Sequence, residues 1–289
     1  MEAPITSIKL HKQVFFALAF VLVAVACNSA PQTTPTATNV LKPRTTLTIS
    51  GASTALSIMK SLQPAFEADN ANYSLQILES TGTSGNSGAI KGIGDKTLDL
   101  GLLTRDLTDT QRASGINAVT FGKGSVAAFV HPGVNITTLT SQQLTDIYAG
   151  HVSNWSQVGG ADLPVVLFIR QPDENVTQKL RDAYFGKTPF PSNAQLLNNS
   201  KDIVTAVSGT AGGIGYGDWP AVVAENSPIK PVALDGVGPT DSTYPLTNNL
   251  TVAYLKERQS DIQPFTDWLV SKRGQDELVK LGVIPLAAK

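Results

Sequence analysis

Short apolar runs that break off at glycine, hydroxyl or arginine and pass into helically spaced stretches restrict the fold of this chain more than any other feature. Residues 47–50 read as a strand, Gly51 as a turn, and Ser53 or Thr54 as the N-cap of a helix whose apolar face carries Leu56, Met59 and Leu62. Pro64 removes a backbone donor and is expected to kink or divide that helix. Residues 73–78 alternate as a strand, 80–88 form a loop of small and hydroxyl side chains, a helix is expected over 89–93, and 98–103 return as a strand. Apolar runs at 126–130 and 165–169 then alternate with helical spacing at 141–148 and 177–184. This rhythm predicts an α/β fold with mainly parallel sheets flanked by helices. Phe265, Trp268, Leu269, Leu278 and Leu281 predict a C-terminal helix pair broken around Gly274.

The first 44 residues have a different character. Lys9, His11 and Lys12 precede a run from Val14 to Ala26 without a charged or polar side chain, which stops at Cys27. That run has the length of a signal-peptide apolar region and falls short of the roughly 20 residues of a membrane span. Ala24, Val25 and Ala26 stand directly before the only cysteine, a pattern similar to the bacterial lipobox, in which a cysteine is diacylated and becomes the mature N-terminus. Alanine occupies the place usual for leucine, and an ordinary secretory signal with a chance cysteine is the alternative. Residues 28–44 are rich in Thr and Pro with little to bury, and are expected to be an extended tether.

With 289 residues, 42% hydrophobic and 16% charged, the chain is long enough for two modest domains, and a net charge of −1 argues against both disorder and nucleic-acid binding. One cysteine excludes an intramolecular disulfide and a thiolate metal cluster, and His11, His131 and His151 are too few and scattered for an all-histidine metal site. No metal or other cofactor is expected. His131 and His151 lack Ser, Cys or carboxylate partners at catalytic spacing, so no enzyme is indicated.

What remains points to anion binding. The loop from Thr81 to Gly88, with Ser84 and Ser87, lies between a strand and a helix, where backbone N–H groups and hydroxyls can converge on an anion. It has no Gly-Lys-Ser/Thr closure, no dinucleotide fingerprint and no Gly-x-Ser-x-Gly elbow. Gly51-Ala52-Ser53-Thr54 offers the same device a second time. Thr104 and Arg105 close one apolar strand and Arg170 closes another, and open α/β sheets bind ligands at strand ends. The alternative for Arg170 is a surface arginine paired to Asp173 or Glu174. Trp155 and Trp219 are expected to be packing residues.

Several ordered segments together resemble the substrate-binding proteins of bacterial phosphate ABC transporters, the PstS-like group. The most specific runs from Leu144-Thr145-Asp146-Ile147-Tyr148-Ala149-Gly150 through Asn154-Trp155-Ser156-Gln157-Val158-Gly159-Gly160. Gly51-Ala52-Ser53-Thr54, Asp99-Leu100-Gly101 through Thr104-Arg105, Gly213-Ile214-Gly215-Tyr216, Tyr244-Pro245-Leu246 and Gly274-Gln275 through Pro285-Leu286 agree in order. The resemblance implies a two-lobed periplasmic-binding-protein fold, each lobe a mainly parallel sheet flanked by helices. Lobe 1 is placed at 45–124 plus 240–289 and lobe 2 at 125–239. By position it assigns Ser53 and Thr54, Ser84 and Ser87, Thr104 and Arg105, and Arg170 and Thr177 to an anion in the cleft. Many members have aspartate where Arg105 stands, and the family's Ser-Gly-Thr turn after the arginine is replaced here by residues 171–177, with Glu174, Asn175 and Val176 in or beside it. A carboxylate there, Glu174 or Asp173, would repel a fully ionised anion but could accept a hydrogen bond from the proton that phosphate retains near neutral pH and sulfate lacks.

The implied function is capture of inorganic phosphate and its delivery to ABC permease subunits by a monomer anchored through lipid to the extracytoplasmic side of the cell membrane. The alternatives are another oxyanion or a phosphonate as ligand, or a sensing or structural surface protein of the same fold.

Overall fold

The structure, a computed structural model, describes residues 44–79 and 82–286; the apolar leader, Cys27, nearly all of the tether, Ser80 and Thr81 lie outside the described residues. The strands are β1 (Thr45–Gly51), β2 (Tyr73–Ile77), β3 (Leu100–Leu103), β4 (Ile116–Val130), β5 (Thr138–Leu139), β6 (Val166–Arg170), β7 (Gln195–Leu197), β8 (Gly213–Asp218), β9 (Lys230–Pro231), β10 (Ala233–Leu234) and β11 (Thr247–Leu255). The helices are α1 (Ser53–Asp69), α2 (Gly85–Gly94), α3 (Asp109–Ala113), α4 (Ser141–Tyr148), α5 (Asn175–Leu180), α6 (Ser200–Gly209), α7 (Trp219–Ala224), α8 (Gln259–Val270) and α9 (Lys272–Lys280).

Among the described residues one sheet has the order β2-β1-β3-β11-β4-β8-β6-β7, with β9 on β4, and β5 and β10 form a small second sheet. Its outer pairs, β1 with β2 and β3, and β6 with β7 and β8, are parallel, as the strand–helix rhythm predicts. Its middle is antiparallel: β11 pairs with β3 and β4, and β4 with β8. The result is an α/β fold whose sheet is mixed.

β4 explains the middle. Its first part, to Ser125, pairs with β11, and its second part, from Val126, pairs with β8. Apolar side chains separate at the same place. Leu47, Ile49, Phe66, Leu102, Phe121, Leu250, Phe265 and Trp268 belong to one buried cluster, whereas Val126, Phe129, Tyr148, Trp155, Ile214, Trp219 and Leu246 belong to another. A smaller cluster around Ala89, Ile93, Leu98 and Ala253 packs α2 against the opposite face of β3 and β11. Near the C-terminus, Val283 enters the first cluster and its neighbour Ile284 the second. Ile284 and Lys123 exchange backbone hydrogen bonds, each 2.9 Å long. Trp155 and Trp219 are buried, as expected of packing residues.

Several local expectations are corrected. Pro64 does not divide α1, which runs unbroken from Ser53 to Asp69. Pro64 and Lys60 are exposed, so the carbonyl that loses its helical donor can be hydrated. The N-cap of α1 is Ala52, and α2 opens at Gly85 within the expected loop. The strand expected over 126–130 starts ten residues earlier, at Ile116. The helix expected over 177–184 starts at Asn175 and passes after Leu180 into a π-turn, Arg181–Phe185. The C-terminal pair breaks at Ser271, whose backbone is extended and whose side-chain hydroxyl caps α9 by accepting from Gly274 N–H. Gly274 lies inside α9 because a Cβ there would stand 2.1 Å from the carbonyl oxygen of Trp268.

Two outcomes are expected. A Cβ on Gly51, whose φ is +151°, would stand 2.2 Å from Leu102 O, backbone that cannot rotate aside. Gly51→Ala should cost at least about 2 kcal/mol in chemical denaturation. At the other end of α1, Asp69 accepts from Trp268 Nε1 at 2.9 Å and Arg273 Nε at 3.2 Å, and the Trp268 bond above all holds its carboxyl below the ordinary range. A depressed carboxyl adds stability that is present above its unfolded value and lost as pH falls through its folded one. Asp69→Asn should therefore flatten the loss of stability on the acid side of pH 4, roughly, in denaturation series across pH.

Candidate functional site

The parallel pairing of β1 and β2 brings their C-terminal ends to one edge of the sheet, where α1 and α2 begin. Ala52 N–H is taken by Leu102 O, and the helical ladder of α1 starts with Leu56 N–H on Ala52 O. The N–H groups between them, those of Ser53, Thr54 and Ala55, are first-turn donors outside the ladder, at the positive end of a 17-residue helix. Ser53 is exposed at this end. With Ser50, Gly51, Leu56, Leu78, Glu79, Ser84 and Gly85 it lines an open cleft of about 300 Å³. Ser84 is the N-cap residue of α2. Two of the sequence-derived candidates, Ser53 and Ser84, thus share one concavity, and Ser87 is exposed on the first turn of α2.

Thr54, one residue on, faces elsewhere. It is buried, and its hydroxyl donates to Asp218 Oδ2 at 2.7 Å. Thr104, at the end of β3, is tied to α2 by Asn86: Thr104 N–H donates to Asn86 Oδ1 at 2.9 Å, and Asn86 Nδ2 reaches Thr104 Oγ1 at 3.4 Å. Arg105 is engaged next to α3, donating to Asp106 O at 2.7 Å and to Gln111 Oε1 at 3.1 Å. Gln111 is also the N3 member of the capping box that opens this helix with Thr108.

Arg170 ends β6 and is 7% exposed, a guanidinium largely removed from water. Its Nη2 forms an ion pair with Glu174, one of the two partners named in the alternative reading, with the arginine buried and the glutamate half-buried. Glu174 therefore serves the arginine first, and by doing so offsets the cost of burying it. The Arg170 backbone N–H donates to Tyr216 Oη at 3.1 Å, and Tyr216 Oη is 2.9 Å from Thr177 Oγ1. Thr177 is fully buried, so its hydroxyl braces the strand end through Tyr216 and lies away from the cleft that Ser53 and Ser84 line. Tyr216 is held above the ordinary phenol range by burial, which outweighs its bonds to Thr177 and Arg170.

Three residues that sequence reasoning did not select join this constellation. Asp218 ends β8, Lys179 lies in α5, and Asn248 lies in β11. Burial raises the Asp218 carboxyl above the ordinary range, against Thr54, Arg170, Asn248 and Lys179, all of which pull it down. Lys179 donates to Thr247 O, and burial lowers its ammonium. The available signal for Asp218 was a carboxylate closing an apolar strand immediately before Trp219-Pro220, where proline in the first turn marks a helix start. Among the described residues no group of three or more His, Cys, Asp or Glu is placed to hold a metal ion.

Known proteins share this architecture. The phosphate-binding protein PstS of Pseudomonas aeruginosa is 26% identical over 273 residues, 83% of this chain and 82% of its own. PstS of Bacillus subtilis is 24% identical over 285 residues, covering 93% of this chain and 91% of its own. A Clostridium perfringens protein whose X-ray structure holds bound phosphate superposes with a TM-score of 0.64 at 24% identity, over 83% of this chain and 99% of that one. The fold is that of periplasmic binding proteins, an α/β mixed sheet with flanking helices, as the sequence resemblance implied. A family model described as the PBP superfamily domain matches residues 29–273, and the chain belongs to that superfamily.

Proposed function

We propose that this protein is an extracytoplasmic solute-binding protein that captures inorganic phosphate between two lobes and delivers it to the permease subunits of an ABC transporter, without chemistry on the anion. The observation that carries this reading is the convergence of Ser53 and Ser84, at the first turns of α1 and α2, on one cleft. Helix N-termini present N–H donors and a positive dipole end, so an acidic protein can hold an anion there without a net positive surface. The phosphate-binding names of the relatives support the choice of anion. A hydrogen bond to a charged group nets about 1.5–3 kcal/mol, and micromolar affinity corresponds to about −8 kcal/mol, so a handful of such donors suffices after ordering costs.

The lobes proposed are 45–124 with 240–289, and 125–239. Their support is the division of apolar side chains, with Phe121 and Leu250 in one cluster and Val126 and Ile214 in the other; Tyr244 and Leu246 side with the second cluster, which puts the return crossing of the packing between Leu246 and Leu250. Membership of the anion site is proposed for Ser53, Thr54, Ser84, Ser87, Thr104, Arg105 and Arg170, with Thr177 acting through Tyr216 and Asn86 holding Thr104. Anchoring is proposed through a lipid on Cys27, and no described helix is long and apolar enough to cross a membrane.

Calorimetric titration of ligand-stripped protein should give heat with phosphate. Arg170→Ala should weaken binding by at least about 1.5 kcal/mol, roughly tenfold, and Arg170→Lys should recover only part of it. Sulfate heat without phosphate heat would favour another oxyanion, and wild-type affinity in Arg170→Ala would remove this residue from the site. For the anchor, Cys27→Ser should release the protein from membranes or leave the leader uncleaved. Unchanged fractionation and processing would refute lipidation.

A further inference from the structure

The Gly213-Ile214-Gly215-Tyr216 segment is among those that carry the family resemblance, yet it supplies none of the proposed anion-site residues. It opens β8, and its tyrosine is completely buried, with its ring 5.5 Å from that of Tyr148 and 6.4 Å from that of Phe185. Packing accounts for the ring and not for the hydroxyl. Tyr148, in the same cluster, gives the contrast: it is 2% exposed, and its Oη finds no hydrogen-bond partner among the described residues. Tyr216 Oη has two, the Arg170 backbone N–H at 3.1 Å and Thr177 Oγ1 at 2.9 Å. The parallel ladder between β6 and β8 pairs Val166 with Gly213 and Leu167 with Ile214 and ends there. A buried N–H beyond the ladder needs another acceptor, and for Arg170 the phenol oxygen is that acceptor. The same oxygen meets α5 at Thr177, so it spans both ends of the stretch 171–176 that stands where the family has its Ser-Gly-Thr turn.

We infer that Tyr216 is a positioning residue for anion binding: its hydroxyl oxygen fixes the end of β6 and the first turn of α5 relative to each other, and so sets where Arg170 is presented. This rests on the reading of Arg170 as an anion-site residue. Glu174 holds the guanidinium end of the arginine, and the phenol holds its backbone end. Within the stretch between them the backbone closes a turn, Glu174 N–H on Gln171 O at 3.1 Å, which leaves the separation of Arg170 from Thr177 to be set from outside by β8. An arginine fixed at its far end alone would move with the loop that carries Glu174, and binding an anion would then include the cost of ordering both. With Tyr216 in place that ordering is complete when the chain folds. The phenol touches no ligand in this scheme; it acts through Arg170.

The test titrates wild type, Tyr216→Phe and Tyr148→Phe with inorganic phosphate by calorimetry, each variant keeping its ring and losing one oxygen. Tyr216→Phe should bind about fivefold more weakly, and Tyr148→Phe as tightly as wild type. Because the effect runs through Arg170, Tyr216→Phe made on an Arg170→Ala background should lose less than about a further twofold. In NMR spectra the Arg170 amide proton should move upfield in Tyr216→Phe, which removes its acceptor, and stay in place in Tyr148→Phe. Affinity of Tyr216→Phe within about twofold of wild type, an equal loss in Tyr148→Phe, an unmoved Arg170 amide, or an undiminished loss on the Arg170→Ala background overturns the inference while leaving phosphate capture standing. Absence of phosphate binding by wild type overturns the capture reading and this inference with it. If Tyr216→Phe does not fold, wild type alone decides. Coupling is reciprocal, so saturating phosphate should slow hydrogen exchange at the Arg170 amide, by up to about fivefold, beyond any slowing at Phe168 in the same strand, and equal slowing at the two overturns the inference.

Discussion

The antiparallel ladder between β4 and β11, from Thr247 opposite Ser125 to Leu255 opposite Ile116, is the constraint on which the rest of the molecule rests. At its Ser125 end β4 leaves β11 and pairs with β8, and Val126 N–H donates to Leu246 O at 2.8 Å. One continuous backbone therefore belongs to two cores. Parallel strands with crossover helices can then be added outward on either side, β3, β1 and β2 in one direction and β8, β6 and β7 in the other. Because the strands are parallel within each wing, every helix start in that wing appears at the same edge. That geometry places the first turns of α1 and α2 together on one cleft.

Electrostatics in the site region works by local pairing and not by net charge. Arg170, nearly removed from water, is paired with Glu174, and its strand end is braced through Tyr216 and Thr177. A buried arginine without such a partner would cost several kcal/mol, and a partner that neutralises it fully would leave little field for a ligand. The chain's solution divides the task. Helix N-termini supply neutral, fixed dipoles at Ser53 and Ser84, while Arg170 and Lys179 supply a charge that carboxylates moderate.

What was legible in the sequence was local. α4 occupies the residues its spacing predicts because Thr140 and Gln143 form a reciprocal capping box that marks its start. β3 and β6 were visible as apolar runs because nearly all of their residues are buried, whereas the edge strand β7, with Gln195 and Leu196 exposed, was not. The first part of β4 was not, since Asn117, Thr120 and Lys123 interrupt its apolar pattern and several of its residues are only half-buried. Gly274 looked like a helix breaker because a sequence does not show that Trp268 O will lie where a Cβ would go. The site divides in the same way. Ser53, Ser84 and Arg170 announce themselves by position after a strand, whereas Thr54 and Asp218 acquire their meaning from each other across most of the chain. Thr177 is the converse case: its place in the motif was legible, but not that its hydroxyl would turn inward to Tyr216.

The crossing made by Val283 and Ile284 bears on the order in which the molecule can be completed. These two neighbours are split between the cores, and Ile284 is pinned to Lys123 in the stretch of β4 just before it changes partners. Almost the whole chain must be available before this pin can form. Each core can gather its own apolar residues earlier, but their mutual registration has to wait for residues close to the C-terminal end. A chain shortened by a few residues there would keep nearly all of both cores and lose the link that fixes one against the other.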